Sequence, residues 1–182
     1  MGFIDMVYTK IKRNTTGTHH VSPAHSPITK LSCLYFNATS LVNKMSEFKT
    51  TLCTLDPEIV VVSETWFKED SLMEVENYTL YKKVRNSGNG GGVAIYIKNS
   101  IKSIEIASLR TQLGEQVWCS IIVGKEKILI GCQYRSTNTD RLVSNHLTRL
   151  ITTAKNLVDS KKFTDLLVFG DYYFPQIKWS ST

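Results

Sequence analysis

Between Leu31 and Val62 two short apolar runs flank one amphipathic stretch, and that order constrains the architecture more than any other feature of the chain. Leu31-Ser32-Cys33-Leu34-Tyr35-Phe36 reads as a strand that ends at Asn37. Leu41, Met45, Phe48, Leu52 and Leu55 then recur at helical spacing, with Ser40 as the predicted N-cap and Pro57 marking the stop. Ile59-Val60-Val61-Val62 is a second buried strand, finishing at Ser63-Glu64-Thr65-Trp66. Strand, helix and strand in roughly 35 residues make a βαβ unit, whose strands run parallel and finish at the same sheet edge. One strand delivers Asn37 to that edge and the other Glu64.

Beyond Trp66 the pattern changes. Tyr78-Thr79-Leu80-Tyr81, Val93-Ala94-Ile95-Tyr96-Ile97 and Ile101–Ala107 follow without an intervening helix. Gln116–Val123 and Lys127–Tyr134 flank Gly124-Lys125-Glu126, a hairpin signature. Successive strands of this kind predict a mixed sheet with antiparallel pairs. Gly90-Gly91-Gly92 precedes a strand and lacks the Lys-Ser/Thr ending of a phosphate loop, so a flexible turn is expected there. From about Asp140 to Ser160 a helical face is formed by Leu142, Val143, Leu147, Leu150, Ile151, Ala154, Leu157 and Val158. It leads into Leu166-Leu167-Val168-Phe169-Gly170-Asp171, a run read as a central strand buried on both faces that presents a carboxylate at its carboxyl end.

The chain of 182 residues suffices for one domain with a substantial core. Its 42% apolar and 21% charged residues are those of a globular protein, and no run reaches the roughly 20 apolar residues that span a bilayer, so no membrane partner is expected. Residues 1–30 hold Lys10, Lys12, Arg13 and Lys30 against one acid, Asp5, and are expected to be a flexible basic leader without a signal peptide. His19, His20 and His25 lack acidic or Cys companions there. Cys33, Cys53, Cys119 and Cys132 are far apart and mostly within apolar runs, which predicts reduced thiols in an intracellular protein, nuclear if it acts on DNA. The Asn-x-Thr matches at Asn14, Asn37 and Asn77 carry little meaning without a secretory route. A net charge of +6 and a pI near 9.1 favour an anionic partner, of which nucleic acid is the commonest.

Four polar residues stand at predicted strand ends: Asn37, Glu64, Tyr134 and Asp171. Carboxylates such as Glu64 and Asp171 are the oxygen ligands that a hard divalent cation requires, and Mg²⁺ commonly takes one or two of them with water and phosphate. An Asn amide ligates or orients such a site, a Tyr hydroxyl hydrogen-bonds a phosphate oxygen, and an Asp takes a proton from an attacking water.

The strings around these residues resemble a known family. Leu34-Tyr35-Phe36-Asn37-Ala38-Thr39-Ser40-Leu41-Val42-Asn43-Lys44 is similar to the opening motif of the endonuclease–exonuclease–phosphatase superfamily, nearest to the apurinic-type endonuclease domain of non-LTR retrotransposons. The likeness continues through Asp56-Pro57-Glu58-Ile59-Val60, Ser63-Glu64-Thr65-Trp66, Gly90-Gly91-Gly92-Val93-Ala94-Ile95-Tyr96 and Tyr134-Arg135-Ser136. It ends with Gly170-Asp171-Tyr172-Tyr173-Phe174-Pro175-Gln176-Ile177-Lys178-Trp179, so residues 31–182 are expected to form a truncated domain of this family. The resemblance implies an α/β fold, the N-terminal portion of a four-layer αββα DNase-like sandwich with flanking helices. It implies a Mg²⁺-dependent (or Mn²⁺-dependent) phosphodiesterase that nicks DNA and leaves a 3′-hydroxyl to prime reverse transcription. On that likeness Asn37 and Glu64 belong to the metal side, Tyr134 contacts the scissile phosphate, and Asp171 positions or deprotonates the water.

The chain also departs from the family pattern. Tyr173 occupies the place of an Asn that helps hold phosphate, and a phenol cannot reproduce an amide's paired donor and acceptor. Thr39 stands where Arg is usual, and Ser136-Thr137 where prolines are common. The family's closing Asp-His pair has no counterpart before Thr182, and His146 falls inside a predicted helix. Two readings stay open: an endonuclease with an impaired site, or a catalytically inactive retrotransposon remnant that binds nucleic acid or protein. A truncated sandwich is also expected to leave a sheet edge uncovered and to self-associate.

Overall fold

The computed structural model describes residues 4–12, 30–85, 88 and 90–173. The chain builds two mixed sheets and two crossover helices. The first sheet contains β1 (Ile4–Lys12), β2 (Lys30–Asn37), β3 (Ile59–Ser63), β4 (Tyr78–Lys83) and β5 (Val93–Lys98), in the order β1-β2-β3-β5-β4. The second contains β6 (Lys102–Glu105), β7 (Glu115–Val123), β8 (Glu126–Arg135) and β9 (Asp165–Tyr172), in that order. Helix α1 (Met45–Leu55) connects the parallel pair β2–β3, and α2 (Arg141–Asp159) connects the parallel pair β8–β9. The other pairings are antiparallel.

Residue alternation explains the layering. Along β2, Leu31 and Cys33 face the second sheet, and with Ile59, Val61, Ile95 and Ile97 they meet Cys119, Ile121, Ile130 and Cys132 in the central core. Leu34 and Phe36, one residue out of phase, face the other way and pack with Phe48 and Leu52 of α1. On the far side, Trp118 and Leu129 pack against Leu150 and Ala154 of α2. Both faces of each sheet are therefore covered, which is why the central strands read as continuous apolar runs. Each fully buried Leu, Ile or Phe side chain here contributes about 1.5–3 kcal/mol of transfer free energy. The layers run helix, sheet, sheet, helix.

Four expectations need correction. Within the predicted leader, Ile4–Lys12 forms a strand antiparallel to β2, with Tyr8 opposite Leu34 and Lys12 opposite Lys30. Its Ile, Val, Tyr and Thr residues are strand formers, and they outweigh the basic composition that suggested a leader. Ser40 is not a helix N-cap. It adopts φ 79°, a single 3-10 turn follows at Val42–Lys44, and α1 begins at Met45. The Ser40 and Leu41 amides donate instead to the Glu64 and Thr65 carbonyls, at 3.0 and 2.9 Å, and so extend the β2–β3 pairing past the strand ends. Leu142 points outward from α2, whose N-cap is Asp140, with its side chain accepting from the Leu142 and Val143 amides.

The fourth correction concerns β9, which among the described residues is an edge strand rather than a central one. Leu167 and Phe169 pack on the central core while Leu166 and Val168 pack on the α2 side, so both faces are used. With β8 as its one neighbour among the described residues, β9 is only half-buried along its length. The histidines of the leader and the string from Phe174 to Trp179 lie outside the described residues.

Candidate functional site

Period-two alternation and strand register together place the site. Tyr35 and Asn37 project on the same face of β2, as Phe169 and Asp171 do on β9. The rings of Tyr35 and Phe169 meet across the sheets with centroids 5.9 Å apart. One pleat further along, Asn37 Nδ2 donates to Asp171 Oδ2 at 2.8 Å. Tyr134 lies opposite Asp171 in the parallel β8–β9 pair, and its hydroxyl donates to Glu64 Oε1 at 2.8 Å. Asn37 Nδ2 donates to the same Glu64 oxygen at 3.2 Å. The four residues singled out from the sequence thus form one hydrogen-bonded cluster, with two contributed by each sheet.

The orientation of Asn37 is fixed from behind. Its Oδ1 accepts from the Thr39 amide at 2.9 Å and the Thr39 hydroxyl at 3.2 Å, which turns the nitrogen toward the two carboxylates. Burial raises the Tyr134 phenol above its ordinary value, and the bond to Glu64 raises it further, while Arg85 opposes the shift. Tyr134 is therefore held as a neutral donor.

Gly170 makes the close approach of β9 to β8 possible. A Cβ there would fall 2.1 Å from the Gln133 carbonyl oxygen, so no side chain is accommodated just before Asp171. The next residue, Tyr172, points back into the protein and donates to Gln133 Oε1 at 3.0 Å, and burial pushes its phenol up. Tyr173 is 51% exposed, and its amide donates to the Arg135 carbonyl at 3.3 Å. His146 sits on α2 and bonds Thr111 Oγ1 at 2.9 Å, outside this cluster.

The Gly90-Gly91-Gly92 run is a fitted part of the site's wall, not the simple turn expected from sequence. All three glycines have φ between 69° and 83°, a region unfavourable to other residues. The Gly91 and Gly92 carbonyls accept from the Trp66 and Thr65 amides, at 2.8 and 3.2 Å. A Cβ on Gly91 would lie 2.2 Å from Glu115 Oε2, and one on Gly92 would lie 2.7 Å from Thr65 Oγ1. Glu115, at the start of β7, accepts from the Gly92 amide and from Arg85 Nε at 2.7 Å, which joins the two sheets beside the site. The Arg85 guanidinium lies 5.8 Å from the centre of the Tyr134 ring. Sequence reasoning missed Arg85 and Glu115. An acid at the start of an apolar strand and an arginine before a glycine run are too common to signal a pair spanning 30 residues.

Backbone strain gathers at the same place. Of the seven non-glycine residues with positive φ among the described residues, Thr39, Ser40, Glu64 and Trp66 flank the cluster. Such conformations cost of order 1–3 kcal/mol each and persist where the surrounding structure imposes them.

No protein-family model matches the chain, and no curated protein matches it. Solved structures do. The endonuclease domain of TRAS1, a telomere-specific non-LTR retrotransposon, superposes with a TM-score of 0.57 at 16% identity, covering 76% of this chain and 58% of that domain. The human Nocturnin catalytic domain gives 0.57 at 14% identity, covering 92% of this chain and 67% of that one. The 3′-5′ exonuclease NExo from Neisseria meningitidis gives 0.53 at 13% identity, covering 77% and 57%. The chain has the fold of the endonuclease/exonuclease/phosphatase, DNase I-like superfamily. It spans less than two thirds of the length of the TRAS1 domain.

Proposed function

We propose that this chain is a phosphodiesterase domain of the endonuclease type that cuts DNA with the help of a divalent cation, Mg²⁺ or Mn²⁺. The observation that carries the proposal is the convergence of Asn37, Glu64, Tyr134 and Asp171 at facing sheet ends. A nuclear setting goes with that substrate.

The donor chemistry suits such an ion. Two carboxylates, hard oxygen donors from the two facing sheets, are held to one amide nitrogen at 3.2 and 2.8 Å. Among the described residues no group of three or more His, Cys, Asp or Glu gathers into a cage. Mg²⁺ and Mn²⁺ commonly take one or two carboxylates, completed by water and phosphate. Glu64 would hold it on the Asn37 side of the cluster, and Asn37 would orient both carboxylates. When bound, the cation supplies charge neutralisation of the phosphodiester.

The chain's own residues do the rest. Asp171, its Oδ2 held by the Asn37 amide, accepts a proton from the attacking water as general base. Tyr134, kept protonated, donates its hydroxyl hydrogen to a non-bridging phosphate oxygen as negative charge develops there. Arg85 adds positive charge on the Tyr134 side of the site. Asn37 keeps the base and Glu64 at fixed separation, so little reorganisation is needed during the reaction.

A second reading, a nucleic-acid-binding module without hydrolysis, is favoured by one observation. Tyr173 holds the family's Asn position with its side chain about half exposed, where an amide is expected to hold phosphate. Nicking of supercoiled plasmid in Mg²⁺, compared with EDTA and with Asp171→Ala, decides between the two. Metal-dependent nicking lost in the variant supports the enzyme, and equal traces in all three lanes support the binding module.

A further inference from the structure

Trp66 stands two residues beyond Glu64 and is 39% exposed. A bulky aromatic residue at φ 57° is a backbone outlier, yet here the conformation is enforced. The Trp66 amide is tied to the Gly91 carbonyl at 2.8 Å, and its neighbours Thr65 and Phe67 are buried. Gly90 backs the indole closely: a Cβ there would come within 3.3 Å of Nε1, 3.4 Å of Cε2 and 3.7 Å of Cζ2. A side chain at position 90 would press on the ring, and φ 83° there favours glycine. The same glycine run continues to Gly91, against Arg85 and Glu115, and Arg85 in turn lies over the Tyr134 ring. A partly exposed flat ring and a guanidinium therefore border one lip of the cluster.

An indole is a large apolar surface whose exposure to water is unfavourable, and a strained backbone adds to that cost. A nucleobase offers a flat π-face of matching size, and base–aromatic stacking is tolerant of sequence. We propose that Trp66 is a stacking platform for one unpaired base of the nucleic acid strand next to the phosphate held at the Asn37–Glu64–Tyr134–Asp171 cluster. The inference rests on the phosphodiesterase reading for the identity of the strand and adds a base-binding subsite to it. It makes a base unstacked from its duplex, or a single-stranded segment, the preferred ligand at this lip.

Binding is measured in an Asp171→Asn background with Mg²⁺ present, by fluorescence anisotropy of labelled single-stranded oligodeoxynucleotides of about ten nucleotides. Trp66→Ala and Trp66→Leu are expected to weaken binding about 5- to 150-fold, the range that one lost stack represents. Trp66→Phe is expected to stay within about threefold, because a phenyl ring still stacks. Intrinsic tryptophan emission, read in a Trp179→Phe background so that only Trp66 and the buried Trp118 report, is expected to fall on binding and to change little once Trp66→Phe is added. An oligonucleotide lacking one base is expected to bind the parent less well at a single register and Trp66→Ala equally well at every register. Trp66→Ala binding as tightly as the parent overturns the proposal. So does equal weakening by Phe and Leu, which would mark a structural role, and so does quenching that persists in Trp66→Phe. The two readings fail separately. Loss of binding in Trp66→Ala from a chain that never nicks DNA keeps the subsite and removes the hydrolysis. Metal-dependent nicking and binding that are both indifferent to Trp66 keep the hydrolysis and remove the subsite.

Discussion

Asn37 and Asp171 are 134 residues apart in the chain and 2.8 Å apart in space, the amide nitrogen of one sheet donating to the carboxylate of the other. The same nitrogen donates to Glu64, so one side chain stands between two negative groups. Asn37→Ala is expected to leave those carboxylates facing each other without the shared amide donor, Glu64 keeping only Tyr134, at a cost of about 1–3 kcal/mol in stability. Nicking is expected to fall about 10²- to 10³-fold, the usual loss for a preorganised donor. Asn37→Asp is expected to be less stable still at neutral pH, and to gain more in melting temperature from Mg²⁺ than the parent does. Thermal melts with and without Mg²⁺, beside plasmid nicking, check both.

Tyr134 gives a pH prediction of definite sign. Burial first, and then the bond to Glu64, push its phenol above the ordinary value of 10.0. The protonated, donating form therefore persists to a higher pH than in a free tyrosine. No loss of activity attributable to this phenol is expected as pH passes 10, and Tyr134→Phe is expected to lower the rate about 10²-fold without moving the alkaline limb. A descending limb near pH 10 that disappears in Tyr134→Phe would contradict this assignment.

Much of this site was legible because it obeys local rules. Strand period two puts Asn37 on the face of Tyr35 and Asp171 on that of Phe169, and the βαβ crossover brings Asn37 and Glu64 to one edge. What stayed hidden depends on contacts between distant segments. The Ser40 amide is spent on the Glu64 carbonyl, which no helix-capping rule foresees. Arg85 and Glu115 acquire meaning only when the glycine run brings their strands together. The edge position of β9 is likewise a matter of pairing: a run that is apolar on both faces looks the same whether it has one neighbour or two.

The glycine run supplies a third prediction. A methyl group at Gly91 would collide with Glu115 and Arg85, and it would also occupy a left-handed backbone. Gly91→Ala is expected to destabilise the protein by about 1–3 kcal/mol and to reduce nicking in proportion to site disorder. Glu115→Gln keeps one of the two acceptors that Arg85 and the Gly92 amide use and removes the charge, but adds no backbone strain, so a smaller loss of stability is expected, about 1 kcal/mol. Urea denaturation of the two variants orders these effects, and the reverse order would show that the ion pair dominates the wall.

The thiols report on the core. Cys33, Cys119 and Cys132 are buried and Cys53 is exposed, so a thiol reagent is expected to modify Cys53 alone in the folded protein and all four cysteines in denaturant. Burial pushes the Cys33 thiol up to about 12 from 9.0 and raises Cys119 and Cys132 in the same direction. Above pH 9 the unfolded chain therefore loses these protons while the folded chain keeps them, and stability falls as pH rises toward 12. Cys33→Ala is expected to flatten that alkaline decline of the melting temperature while lowering stability at pH 7. An unchanged slope would remove Cys33 from the account.

Tyr173→Asn tests whether the residue at this position limits hydrolysis. Tyr173 is 51% exposed and is held through its backbone, with its amide donating to Arg135 and its carbonyl accepting from the Arg135 side chain. Tyr173→Asn removes little buried surface, and its effect on stability is expected to stay within about 0.5 kcal/mol. An amide there supplies a separate donor and acceptor close to the backbone, where a phenol has a single hydroxyl at the far end of its ring. Metal-dependent nicking is therefore expected to rise at least about tenfold, since one added donor to the developing charge is worth more than 1.4 kcal/mol in such sites. The gain must vanish in the Tyr173→Asn, Asp171→Ala double variant, because the amide assists chemistry that Asp171 carries. A gain that survives loss of Asp171 would mean that the amide acts elsewhere, through tighter nucleic-acid binding. No gain at all would mean that position 173 does not limit hydrolysis.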